Sequence, residues 1–459
     1  MKIVKVISLV CFAATLLYLW SCEDNSPDTF GQEPYDSSKP VRIDGFEPDS
    51  GGLATKVFIS GSNFGTDLSQ IRVWFTATDE AGEQISRRAS VVGSNGSYMY
   101  VITPRLTSLR ECTISVVSHG DSAVLTDKEF IYNTMYTVTT VVGKKGTAQF
   151  QGGTLAEATL DRPQCITVDD DGNIFVTMYS APPAPGSLTG LYLVSPGLDL
   201  VQQLISYSGG MGVPAVASDG KTIIAPSNAG ALYWTLSPDD NWEPVERAIL
   251  PPTVDMLQED PNLAFATAWK SSFATCPRTG FIYTYEYLSG HLIKFNPMNR
   301  RGQRVDVLFT NTFPRLCFDT HPDRQNILYI SYRERNAIYT YDVDTGEHTL
   351  FAGMEGASGA GYKDGHRLND AQFREPDVVI MNTDHSIFFA DMGNHCIRRI
   401  DLNDGMVTTV IGRGGISGYL DGNREDALFN RPQGMTINKD GVIYVADTEN
   451  NCVRRLAVE

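Results

Sequence analysis

The sequence predicts an all-β protein: a small N-terminal β-sandwich, then a six-bladed β-propeller closed by an N-terminal strand. Three observations carry this expectation. Residues 134–459 repeat themselves, as Val407-Thr408-Thr409-Val410-Ile411-Gly412 against Val138-Thr139-Thr140-Val141-Val142-Gly143 shows. The repeat, of roughly 40–55 residues, is built only of short strands, which excludes a helical solenoid. Residues 40–133 alternate apolar and polar positions between turn signals, the pattern of a sandwich.

The chain of 459 residues opens with a short basic stretch, Lys2 and Lys5, followed by an apolar run from Val6 to Trp20 that only Ser8 and Thr15 interrupt. That run is too short for a membrane span and has the layout of a signal peptide. It ends in Leu19-Trp20-Ser21-Cys22, which resembles a bacterial lipobox. The resemblance implies removal of residues 1–21 and lipidation of Cys22, with the lipid as the sole membrane contact. Residues 22–39 are rich in acids, Asn, Ser and Pro, too polar to bury apolar area, and are expected to form a disordered tether. Glu23-Asp24 directly after the cysteine resembles the surface-export signal of lipoproteins in glycan-foraging Gram-negative bacteria. The expected location is the cell envelope, anchored to the outer membrane and facing outward.

A net charge of -17 sets the chain against nucleic acid and anionic lipid, so neither is an expected partner. Beyond Cys11 and Cys22, the six cysteines Cys112, Cys165, Cys276, Cys317, Cys396 and Cys452 lie far apart with no CxxC spacing. Buried free thiols are expected rather than a disulfide framework or a zinc site.

Within residues 40–133 the expected strands include Lys56-Val57-Phe58-Ile59, Ile71 to Phe75, Tyr98 to Ile102, Cys112 to Val117 and Phe130-Ile131-Tyr132. With Phe46-Glu47-Pro48-Asp49-Ser50-Gly51, the turn Gly61-Ser62-Asn63-Phe64-Gly65 and Thr103-Pro104, this order resembles the IPT/TIG family of immunoglobulin-like domains. The resemblance implies a spacer or docking module without catalysis.

Residues 134–459 contain six expected innermost strands, starting near Gln164, Val213, Ser272, Arg315, Asp377 and Gly434. Second strands follow near Ile174, Ile223, Ile282, Leu328, Ile387 and Ile443. Asn394-His395-Cys396-Ile397-Arg398-Arg399-Ile400 matches Asn450-Asn451-Cys452-Val453-Arg454-Arg455-Leu456, and the units resemble NHL repeats, most clearly the last two. The last unit stops after its third strand, at Val458. Strand 137–142 is the missing fourth, and its pairing there removes an exposed sheet edge.

Residues that recur are expected to shape turns rather than carry chemistry. They include Asp391, Asn394, His395 and Arg398, with Asp447, Asn450 and Arg454 as counterparts. The loops Gly361-Tyr362-Lys363-Asp364-Gly365 and Gly418-Tyr419-Leu420-Asp421-Gly422 belong to the same class. Positions that break the repeat point to a ligand site. In place of the turn Asp, the other blades are expected to carry Met178, Pro226, Glu286 and Tyr332, followed by Tyr179, Ser227, Tyr287 and Arg333. After Pro163, Pro314, Pro376 and Pro432 come Gln164, Arg315, Asp377 and Gln433, expected around the mouth of the central channel. With Tyr179, Tyr287, Tyr332 and Trp269 nearby, the candidate ligand-binding set is Gln164, Tyr179, Trp269, Glu286, Tyr287, Arg315, Tyr332, Arg333, Asp377 and Gln433. Aromatic faces beside planar hydrogen-bonding groups suit sugar rings.

The seven histidines, His119, His291, His321, His348, His366, His385 and His395, share no register that would gather metal ligands. GxSxG, HExxH, P-loop and Rossmann fingerprints are absent from the sequence. No cofactor, metal or catalytic residue is expected. The expected function is that of an envelope lipoprotein binding a glycan, accessory to polysaccharide uptake, with an outer-membrane transporter or another envelope protein as partner. Two alternatives stand beside it: a protein–protein scaffold, and a propeller enzyme acting on glycans as lyase or hydrolase.

Overall fold

The computed structural model describes residues 33–132 and 136–458, except 53–54, 79–83, 105–110, 179–188, 208, 229, 268, 357–358 and 382–385. The expected signal peptide, Cys22, Glu23-Asp24 and Tyr179 lie outside the described residues. No described helix is long and apolar enough to cross a membrane. The chain divides into two compact units, Met1–Thr134 and Met135–Glu459.

In the first unit, strand Ile71–Thr78 shows the simplest sequence logic. Ile71, Val73, Phe75 and Ala77 are buried while Arg72 and Thr78 face water, the period of two that a one-sided sheet requires. Eight strands follow one continuous order, and the short Ser50–Gly51 strand pairs in parallel with the end of Asp121–Tyr132. The Lys128 ammonium reaches the carbonyl of Phe46 at 2.7 Å, drawing the last long strand toward the first. The sheet is therefore nearly closed and barrel-like, where the sequence suggested two packed layers. Asn63 sits in the left-handed region at φ +62°. Its amide accepts from Asp36 N and donates to the carbonyls of Asp36 and Lys39, at 2.7, 3.0 and 2.5 Å. Residues 33–39, assigned from composition to the tether, are ordered here, because a buried side-chain amide offers their backbone partners that composition does not reveal.

The second unit has six blades, four of them four-stranded, while blades 5 and 6 each add a two-residue fifth strand, Gly365–His366 and Gly422–Asn423, outside the fourth. Their innermost strands are Pro163–Val168, Ala215–Val216, Lys270–Thr275, Arg315–Phe318, Pro376–Met381 and Pro432–Ile437. The second strands are Ile174–Met178, Ile223–Pro226, Ile282–Glu286, Ile327–Tyr332, Ser386–Asp391 and Ile443–Asp447. All twelve fall within about two residues of the positions expected from the repeat. Second strands are buried along nearly their whole length because a neighbouring blade covers each face. Phe175 packs toward Ile223 and Trp234 of blade 2, while Val176 and Met178 pack toward Tyr444 and Ala446 of blade 6. The core is thus six apolar wedges rather than one centre.

Strand Tyr136–Gly143 pairs antiparallel along all of Cys452–Val458 and completes blade 6. Gly143 ends it at φ +97°, where a Cβ would sit 2.2 Å from the carbonyl of Asn451, which accounts for the glycine after each Val-Thr-Thr-Val. Among the described residues, Cys112, Cys165, Cys276, Cys317, Cys396 and Cys452 form no disulfide, and all but Cys317 are buried.

Candidate functional site

The recurring residues form one device in blades 5 and 6. In blade 6 the fully buried Arg454 donates to Asp447 Oδ2 at 2.8 Å and to Asp421 Oδ1 at 2.6 Å. It also donates to the carbonyls of Leu420 and Leu428 and lies over the rings of Tyr419 and Phe429. Asp421 in turn accepts from Thr140 N at 2.9 Å. Arg398 repeats the arrangement in blade 5 with Asp391, Asp364, Tyr362 and Phe373, and Asp364 accepts from Thr409 N. The recurring carboxylates thus serve to bury an arginine and pin the fourth strand.

This explains why the other blades lack the turn Asp. The places of Arg398 and Arg454 in the third strand are taken by Tyr192, Trp234, Ile293 and Tyr339, read from the ladder pairing. Without the guanidinium a buried carboxylate has no counter-charge, so in blades 1, 2 and 4 it disappears along with it, while blade 3 keeps a carboxylate, Glu286, opposite the buried Lys270. Met178 and Tyr192 share one cluster, and Tyr332 meets Tyr339 edge-on at 5.4 Å. In blade 2 the position belongs to Ser227, whose N–H bonds to Leu232; Pro226 sits one rung further in, opposite Tyr233. Loss of the Asp is therefore an exchange of packing. It does not by itself mark a site.

Two expected site residues are corrected on this ground. Tyr332 is fully buried among Tyr285, Phe309 and Tyr339, so it offers no face for stacking. Glu286 is 1% exposed and turns Oε2 to Ser289, at 2.6 Å from its N–H. Glu286 lies opposite Lys270 in the ladder, a lysine that is fully buried. Burial pulls the Lys270 ammonium down to about 8 against the opposing field of Glu286. Its Nζ donates to the carbonyls of Gly230 and Thr267.

Other expected residues do converge. Asp377 is fully buried between two guanidiniums: Arg315 donates through Nε at 2.9 Å, and Arg333 donates from the other side. Burial pushes the Asp377 carboxyl up, but Arg333 and Arg315 win and hold it below the ordinary carboxylate value. Arg315 also donates to the carbonyl of Ser271 at 2.9 Å, tying blade 4 to blade 3. Gln164 is half-buried and Gln433 buried, where blades 6 and 1 approach closely. A Cβ on Gly434 would lie 2.4 Å from the carbonyl of Gln164.

Beside this ion cluster lies an aromatic group. Trp269 directly precedes the inner strand of blade 3 and is 52% exposed. It is held at φ +54°, as Arg162, Glu375 and Arg431 are held before the inner strands of blades 1, 5 and 6. This is a position where the fold turns the chain into the channel, so the left-handed backbone belongs to the scaffold. Tyr287 stacks on Phe313 with ring centroids 4.1 Å apart and planes within 15°, and Trp269 lies 6.4 Å from both. Phe313 was not among the residues singled out from sequence. Aligning the positions just before the inner strands would have placed it beside Trp269. The site is thus an exposed indole and a stacked ring pair, next to Arg315, Asp377 and Arg333. Such a surface supplies apolar faces and guanidinium donors. Among the described residues, no group of three or more His, Cys, Asp or Glu is placed to hold a metal ion.

Residues 429–456 match the NHL repeat family. NHL repeat-containing protein 2 of Gallus gallus is 42% identical over 82 residues, 18% of this chain and 11% of that protein. The chain spans about a tenth of the length of the curated relatives it matches. Among solved structures, a Bacteroides thetaiotaomicron protein of unknown function superposes with a TM-score of 0.67 at 24% identity, over 93% of this chain and 100% of that one. An auxiliary nutrient binding protein of the same organism superposes with a TM-score of 0.58 at 21% identity, over 93% and 99%. At these identities the likeness shows a shared fold.

Proposed function

We propose that this chain is an envelope lipoprotein that binds a glycan at the mouth of its propeller, accessory to polysaccharide uptake. The observation that carries the reading is the Trp269, Tyr287 and Phe313 group beside Arg315, Asp377 and Arg333. Sugar rings present C–H faces that stack on aromatics and hydroxyl edges that accept from guanidiniums. The binding role named for the Bacteroides thetaiotaomicron structure of the same fold is consistent with a ligand-binding reading. In this reading the first unit is an IPT/TIG-like spacer and Cys22 carries the lipid.

A glycan array with residues 33–459 tests the binding. On any glycan captured, Trp269→Ala is expected to weaken affinity about tenfold or more, as loss of a central aromatic anchor does. Its melting temperature should stay close to that of the native protein, because the indole is half exposed. Tyr332→Ala should do the reverse, unfolding earlier by about 3–5 kcal/mol of lost core packing while any folded fraction binds normally. Native affinity in Trp269→Ala would remove this site, and recovery of a single envelope protein in place of a glycan would turn the reading toward a scaffold.

The anchor has its own test. Cys22→Ser in the full chain should move the protein from the membrane fraction to the soluble one. A native protein that is already soluble and carries no lipid by mass spectrometry defeats the lipoprotein assignment.

A further inference from the structure

We propose that a second ligand site lies in the groove between blades 2 and 3, and that it takes an oxyanion: a carboxylate, sulfate or phosphate group. The groove lies away from the aromatic site. It is enclosed by the loops joining first and second strands in these two blades and by the turn between third and fourth strands of blade 3. It measures about 670 Å³. The innermost strand of blade 2 that leads into the groove is only two residues long, Ala215–Val216.

The lining is rich in donors and short of acceptors. Arg247 and Arg300 both line the groove. Neither forms an ion pair or a side-chain hydrogen bond among the described residues, in a protein of net charge -17 where most arginines near the channel mouth are paired. Arg300 is held in place by its backbone. It stands at φ +62°, donates its N–H to Asn296 at 2.7 Å and accepts from Leu250 N of blade 2 at 2.8 Å. Arg247 lies directly opposite Tyr233 in the blade 2 ladder.

Tyr233 supplies the second observation. Its ring is fully buried against Phe273 and Phe295, yet its hydroxyl has no hydrogen-bond partner among the described residues. A buried hydroxyl without a partner calls for one. Burial raises the proton affinity of that hydroxyl, and the guanidiniums of Arg300 and Arg247 both act to lower it, although Tyr233 itself is not among the residues that line the groove. The one carboxylate in the lining, Asp219, accepts from Lys221 N, Thr222 N and Thr222 Oγ1 and is committed to its own loop. What the groove lacks is an acceptor with more than one oxygen, which is what an oxyanion brings.

The test uses residues 33–459 titrated by calorimetry, at constant ionic strength, with sodium sulfate, sodium phosphate, glucuronate and glucose. At least one of the three anions should bind with Kd on the order of millimolar, and glucose should not bind here. Which anion binds tightest identifies the group. Arg247→Gln and Arg300→Gln should each weaken that anion at least fivefold. Tyr233→Phe should weaken it less, without loss of melting temperature. Arg278→Gln is the control, since Arg278 stands on a neighbouring loop but is spoken for by Asp344 at 2.8 and 2.5 Å; it should bind as the native protein does. Absence of binding by all three anions overturns the proposal. So does an equal loss in Arg278→Gln and the two lining variants, which would reduce the effect to overall charge. Glycan binding at Trp269 is unaffected by either outcome.

Discussion

A chain that begins at residue 146 is expected to be insoluble or to melt far below one that begins at 134, although only twelve residues separate them. Those residues include strand Tyr136–Gly143, the fourth strand of blade 6, which lies between the short strand Gly422–Asn423 and Cys452–Val458 and pairs with the latter over its length. Removing it uncovers the whole hydrogen-bonding edge of the last strand, a template for pairing with another molecule. Val138 and Val142 are each 1% exposed, and losing two such side chains costs roughly 3–6 kcal/mol. The strand also carries Thr140, whose N–H and hydroxyl hold Asp421 in place under Arg454. Together these losses approach the whole stability of an ordinary domain, about 5–15 kcal/mol. The shorter chain should therefore lose cooperative melting by calorimetry and elute as aggregate, whereas the longer one should fold without the first unit. Equal melting temperatures for the two chains would refute closure through this strand.

The architecture of the second unit was legible because the repeat does two things at once. It marks strand positions by apolar runs, and it leaves an orphan copy at 137–142 that has only one place to go. Blade 2 was the hardest to place by residue. Its inner strand is short and its turn has Ser227, not Pro226, at the Asp position, a one-residue shift that no periodic signal corrects. In the first unit the strands were legible from alternation, but closure was not. Whether eight strands split into two layers or curl into one depends on contacts such as Lys128 to Phe46, which have no local signature.

The candidate site was legible in part. Arg315, Arg333 and Asp377 were found because they occupy aligned places, and they meet. Tyr332 and Glu286 were misassigned because exposure was inferred from departure from the repeat. Whether a departure faces solvent depends on what replaced its partner on the next strand. In blade 4 the arginine had become Tyr339, and the two tyrosines close on each other. Phe313 was missed for the converse reason, since attention fell on the residue after Pro314 and not on the one before it.

That coupling between turn acid and third-strand arginine leads to the second large effect. Arg454→Met should destabilise the propeller by about 3–5 kcal/mol, more than loss of its apolar stem alone would cause, because it strands Asp447 without a counter-charge. Burial already pushes the Asp447 carboxyl up to about 6, with Arg454 the strongest opposing influence. Without the guanidinium that value climbs further, and the carboxyl takes a proton in the folded state. A folded pKa above the unfolded one gives stability that is complete at low pH and lost as pH rises through the folded value. The native protein completes that loss near pH 6, but the variant continues losing above it. The gap in melting temperature between the two should consequently widen from pH 5.5 to pH 8. Asp447→Asn in the Arg454→Met background removes the stranded charge and should recover part of the loss at pH 8 with little gain at pH 5.5. A gap independent of pH, or no recovery in the double variant, would mean that Arg454 acts through packing on Tyr419 and Phe429 rather than through the carboxylate it covers.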